Sequence, residues 1–127
     1  MTALAHAHTL IGAVADALAT ASRHLAAACT VDGRIDGARL DEHQATAYDL
    51  ASLSSALVAA RALTELGEPD EVQARLALVA AADVATELLA RTAGREADYG
   101  LEHTVRDLNL ASARIAAEAA DAFTARD

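Results

Sequence analysis

LDEHQATAYDL (residues 40–50) gathers Asp41, Glu42, His43, Tyr48 and Asp49 in one short stretch. Such a cluster is either a metal or catalytic site or the opening of a helix, and the choice decides the fold. The spacing favours the helix. Asp41, Glu42 and Asp49 project away from the face carrying Leu50, Leu53 and Leu57, and acids in the first turns complement the positive end of the helix dipole. His43 lies seven residues before Leu50, on the apolar side, as a half-buried histidine at a bundle end would. The sequence has no Glu-x-x-His pair of the di-iron bundles and no His-Glu-x-x-His of zinc proteases.

Working outward, three breaks divide the chain: TVDGRIDG (30–37), GEPDE (67–71) and GREADYG (94–100). They leave four segments, each long enough to span a bundle. The first covers residues 3–29. Its seam reads Leu4, His8, Ile11, Ala15, Leu18, Ser22, Leu25 and Cys29, in alternating steps of four and three. The opposite face, with Thr2, His6, Thr9, Asp16, Thr20, Arg23 and His24, carries only two formal charges and suits cover by another chain. The second helix starts at an N-cap, Asp36, and stops at Gly67. The third opens with Pro69 at its first position, followed by Asp70 and Glu71, and closes at Gly94 with Arg91 in its last turn. Its Val72, Leu76, Leu78, Val79, Val84, Leu88 and Leu89 leave no wide polar face, which predicts burial on more than one side. The fourth has a seam of Leu101, Val105, Leu108, Ser112, Ile115, Ala119 and Ala122 against a charged outer side. Short connections make consecutive helices neighbours, so the expected fold is all-α: one domain, residues 1–127, built as an up-down-up-down antiparallel four-helix bundle.

Composition agrees. Hydrophobic residues make up 54% and aromatics 2% of the 127 residues, with alanine dominant. Alanine favours helix and lets helices approach closely, which leaves little room for a large pocket or for stacking a flavin or nucleobase. A net charge of −9 with no basic stripe argues against nucleic acid. Cys29 stands alone, so no internal disulfide forms and a reducing cytoplasm is expected. The first 22 residues lack a basic n-region and are interrupted by Asp16 and two histidines, which fits neither a signal peptide nor a membrane span. Met1 and the polar end TARD suit a complete small chain.

Several polar residues fall on predicted inner faces. Ser54, Asp83 and Ser112 come to similar heights when the chain is folded about its loops. Either Asp83 is inside, accepting hydrogen bonds from the two serines, or it faces solvent on a slightly rotated helix. His8 and Arg61 also match in height, and Arg61 either meets His8 or snorkels outward. His6 and His8 fall on opposite sides of a helix and make a poor chelate. There is no nucleophile elbow and no glycine-rich phosphate loop. No catalytic residue, metal ligand or cofactor is therefore assigned, and the reading leans away from an enzyme.

GRIDGARLDEHQATAYDLASLSSALVAARAL (33–63) resembles a helical module appended to some acyl-CoA dehydrogenases, in particular the N-terminal extension of the methylsuccinyl-CoA dehydrogenase type. GREADYGL (94–101) is similar to the end of that module. Ser52 and Tyr99 stand where tryptophan is common in similar sequences. The resemblance implies an all-helical unit outside the flavin-binding body, and this chain has neither that body nor its catalytic glutamate. Dehydrogenase activity is not implied, whereas packing on an enzyme is. Two functional expectations follow. The first is a non-catalytic interaction module that self-associates or docks on a larger, acyl-CoA-processing enzyme. The second is a small ligand-binding or enzymatic bundle in which His43, Arg61 and Asp83 face an apolar pocket.

Overall fold

The computed structural model describes residues 2–66 and 70–124, with side chains as far as residue 115 and at Ala117. The chain is all-α. Four long helices, α1 (Ala3–Cys29), α3 (Gln44–Leu66), α4 (Glu71–Thr92) and α5 (Thr104–Thr124), carry the fold, with a short α2 (Gly37–Glu42) between the first two. Helices α1, α3 and α4 pack mutually, and α5 lies against α1 and α4.

Helix α1 starts where the Thr2 hydroxyl accepts a hydrogen bond from the Ala5 N–H at 3.1 Å. Its buried stripe is rotated by about one residue from the expected seam. Ala7, Val14 and Ala21, spaced by seven, have no exposed surface. His6 is buried, while His8 and Ser22 are exposed. The rotation turns the smallest side chains toward the neighbouring helices, where close approach gains more than a larger residue held further out.

The first break is a hairpin. Strands β1 (Thr30–Val31) and β2 (Arg34–Ile35) pair antiparallel, and the turn residues Asp32 and Gly33 both have positive φ, 51° and 77°. Asp-Gly is suited to this turn because both central residues must adopt left-handed backbone. Asp36 then caps α2 as expected, its carboxylate accepting from the Arg39 N–H at 3.1 Å. The expected single second helix breaks at His43. That residue leaves helical geometry, with φ −109° and ψ 21°, and its N–H donates to the Leu40 carbonyl at 3.0 Å.

Asp70 is the N-cap of α4, accepting from the Val72 N–H at 2.8 Å, so Glu71 is the first helical residue in place of Pro69. Gly67 and Pro69 themselves lie outside the described residues. Gly94, with φ +75°, follows the end of α4 as expected. The expectation for its side chains is corrected. Ala74, Ala77, Ala81 and Ala85 are buried with Val84 and Leu88, whereas Val72, Leu76 and Val79 are exposed. The buried side of this helix, which packs against α1 and α3, is mostly alanine, with Val84 and Leu88 as the larger side chains toward its C-terminal end. A 3₁₀ turn, Glu96–Tyr99, then leads to α5. Leu101 and Leu108 are buried, and Val105, Ser112 and Ile115 partly so, as the expected seam requires; Ala119 and Ala122 lie outside the described side chains.

Gly100 closes the 3₁₀ turn in left-handed backbone, φ +66°, and a Cβ there would come within 2.8 Å of the His24 ring. Gly94 shares the positive φ, but a Cβ there meets nothing within 4 Å. Gly94→Ala therefore carries backbone strain alone, about 1 kcal/mol. Gly100→Ala carries strain plus the clash and is expected to cost about 2–3 kcal/mol in urea denaturation. Adding His24→Ala to Gly100→Ala removes the ring but keeps the Cβ of residue 24 at 3.0 Å, so it should recover part of the loss.

Candidate functional site: a carboxylate latch and an exposed apolar face

The richest polar constellation grows from the opening stretch of the sequence, at Asp49. This aspartate does not project freely from α3 as expected, but lies half-buried where α3, the end of α4 and the 3₁₀ turn meet. The Tyr99 hydroxyl donates to its Oδ2 at 2.5 Å, and Arg91 Nη1 donates to its Oδ1 at 2.8 Å. Arg95 Nη1 stands 3.6 Å from Oδ2, with its guanidinium 5.4 Å from the centre of the Tyr99 ring. Arg91 also donates through Nε to Glu87 at 2.6 Å.

Burial works against the Asp49 charge, but the Tyr99 hydroxyl, followed by Arg91 and Arg95, outweighs it and holds the carboxyl below the usual aspartate range. Burial, reinforced by the bond to Asp49, pushes the Tyr99 phenol up to about 12. The tyrosine is thus a fixed hydrogen-bond donor at neutral pH, and both carboxylate oxygens of Asp49 are occupied. Neither group is poised for proton transfer near neutrality. The arrangement is a latch: it ties the connection after α4 to the start of α3. A tyrosine within an otherwise polar break is the sequence signal for it, since a buried phenol needs a partner.

The residues singled out in the sequence do not converge. His43 is half-buried at the α2–α3 break, while Arg61 and Asp83 are exposed. His43 and Arg61 are 18 residues apart in sequence, about 27 Å along a helix at 1.5 Å per residue. Of the two placements open to each, Arg61 and Asp83 take the solvent-facing one, outside an inner pocket, and Arg61 has no hydrogen bond to His8. The Ser112 hydroxyl is buried with no hydrogen-bond partner among the described residues, and Ser54 is exposed, so the Ser–Asp–Ser alternative does not form. Among the described residues, no group of three or more His, Cys, Asp or Glu is placed to hold a metal ion. Nor is any helix among them long and apolar enough to cross a membrane.

The second feature is a surface. Val72, Leu76 and Val79 form a row on α4 at steps of four and three, exposed by 64%, 55% and 57%. Helix α3, which packs along α4, also exposes Val58 and Leu66. Isolated apolar residues are ordinary on a surface, but a row at heptad spacing is how a helix presents itself to another helix.

Tyr99→Phe is expected to cost about 1.5–3 kcal/mol, the range for a hydrogen bond to a charged group. Asp49→Asn weakens the same bond and removes one carboxylate partner from Arg91 and Arg95, which keep Glu87 and Asp98. The pH dependence follows from the two shifts. The contribution of Asp49 is complete above the unfolded value of 3.8 and is lost as pH falls through its lower folded value. That of Tyr99 is complete below 10.0 and is lost as pH rises to about 12. In a Tyr48→Phe background Tyr99 is the sole tyrosine, so its phenolate absorbance should lag behind that of the unfolded chain. Compared with protein-family profiles, curated proteins and solved structures, the chain matches none.

Proposed function

We propose that the chain is a non-catalytic helical interaction module of the cytoplasm that acts by self-association through the exposed apolar face of α3 and α4. The observation that carries this reading is the Val72–Leu76–Val79 row. The row is its own complement. A two-fold axis at Leu76 sets Leu76 against Leu76 of a second copy, and Val72 against Val79. β-Branched residues then meet β-branched residues across an antiparallel helix pair, with no charge inside the row. The four long helices are taken as an up-down-up-down antiparallel bundle whose tight interior is already filled, which leaves the outer row as the apolar surface to bury. The resemblance of residues 33–101 to a module outside the catalytic body of acyl-CoA dehydrogenases is in keeping with a packing role.

Light scattering during size exclusion tests the proposal. A dimer is expected, with a dissociation constant in the micromolar range because the row is short. Leu76→Glu should convert it to a monomer with unchanged helix content. A wild-type chain that stays monomeric at millimolar concentration overturns self-association.

A further inference from the structure

A groove separate from that face lies between the C-terminal half of α1, the hairpin, α2 and α3. It encloses about 410 Å³, within the range of small-molecule sites, roughly 300–1,000 Å³, and near its lower end. Cys29 and Leu50 are buried and form its floor; Ile35 and Leu40 are exposed and form its rim. No charged residue lines it. Ser22 and Ser54 face it from α1 and α3, and neither hydroxyl has a hydrogen-bond partner among the described residues. Two other cavities, by contrast, have charged walls, with Glu96, Glu102 and Arg106 in one and Asp16 and Asp107 in the other.

We propose that this groove binds an uncharged, largely apolar small molecule with one hydrogen-bonding group, held between the Leu50–Cys29 floor and the hydroxyls of Ser22 and Ser54. The absence of charge selects the ligand class. An ionic group entering here would lose its hydration and find no counter-charge, whereas a neutral donor or acceptor finds two unspent hydroxyls. Volume limits the ligand to a small molecule. The rim residues come from the hairpin and α2, so the Asp32–Gly33 turn and the helix break at His43 acquire a role: they place Ile35 and Leu40 over the groove.

The neutral fluorophore N-phenyl-1-naphthylamine, an apolar body with one N–H, is the probe. Its emission should rise saturably, with one site per chain. Ala51, exposed on the α3 side of the groove, offers a way to fill it without touching the core. Ala51→Phe should weaken binding at least tenfold, and Ser54→Phe, one turn away, should do the same. The probe's single N–H is taken by one of the two hydroxyls, so one of Ser22→Ala and Ser54→Ala should weaken binding about fivefold and the double variant should do the same. Leu76→Glu should leave it unchanged, which separates this site from the self-association face. The proposal is overturned if emission does not rise or if both phenylalanine variants bind as well as the parent. It also falls if Leu76→Glu abolishes the signal, or if binding weakens as protein concentration increases, which would mean that a second copy fills the groove.

Discussion

Close approach of α4 to both α1 and α3 is the constraint on which the remaining structure depends. On α4 the buried alanines are Ala74, Ala77, Ala81 and Ala85, and α1, which packs against it, buries Ala7, Val14, Ala17 and Ala21. Each alanine methyl gains little by itself and contributes through the number of backbone and Cβ atoms brought into contact, while Leu10, Leu53, Leu57, Leu88 and Leu101 fill the space between the helices. The alanine positions keep the helices close, and on α4 they occupy most of the inner side, with Val72, Leu76 and Val79 on the outer one. The apolar face is a consequence of how this core is packed.

The same constraint makes a polar tie useful. An alanine-rich interior gives little side-chain interdigitation to fix where a connection sits. Asp49 supplies that definition by drawing the α3 start, Arg91 at the end of α4 and Tyr99 in the 3₁₀ turn to one point. Tyr99 has no exposed surface and is one of the chain's few aromatics, so it also fills volume that alanine leaves. Its hydroxyl end meets a carboxylate whose charge is balanced by two arginines, which turns a costly buried charge into a directional contact. Gly100 follows directly and lets the backbone turn tightly beneath His24 toward α5.

Where the sequence contained specific backbone chemistry, the fold was legible in it. Asp36 as an N-cap, Gly94 as a helix stop and the inward seam of α5 from Leu101 to Ile115 all follow from local rules. Rotational register on α1 and α4 does not. Hydrophobicity ranks leucine and valine above alanine, so a periodicity reading puts Leu76 and Val79 inside, and on α1 it selects His8 over His6. In a chain this rich in alanine, size complementarity decides, and that is a property of pairs of helices rather than of one sequence window. The break at His43 and the hub at Asp49 were illegible for a related reason: each depends on a partner far along the chain or on a turn beside it. For Arg61 and Asp83 the same register left an inward and a solvent-facing placement open, and both face solvent.

Charge bears on what the exposed row can do. The whole chain carries −9, which opposes association between copies. Helix α4 contributes little to that. Between Glu71 and Thr92 it has three acids, Glu71, Asp83 and Glu87, against two arginines, a net of −1. Two of the acids are paired within the helix, Glu71 with Arg75 at 2.9 Å and Glu87 with Arg91 at 2.6 Å. Arg91 is shared with Asp49, so the latch that fixes the fold also helps to keep the charge of this helix low. The row from Val72 to Val79 thus lies on a helix of low net charge in which Glu71 and Glu87 are paired, and Asp83, one step beyond Val79 in the same spacing, marks where the row ends. A second copy placed on the two-fold axis at Leu76 meets apolar surface over the whole row before it meets an unpaired acid.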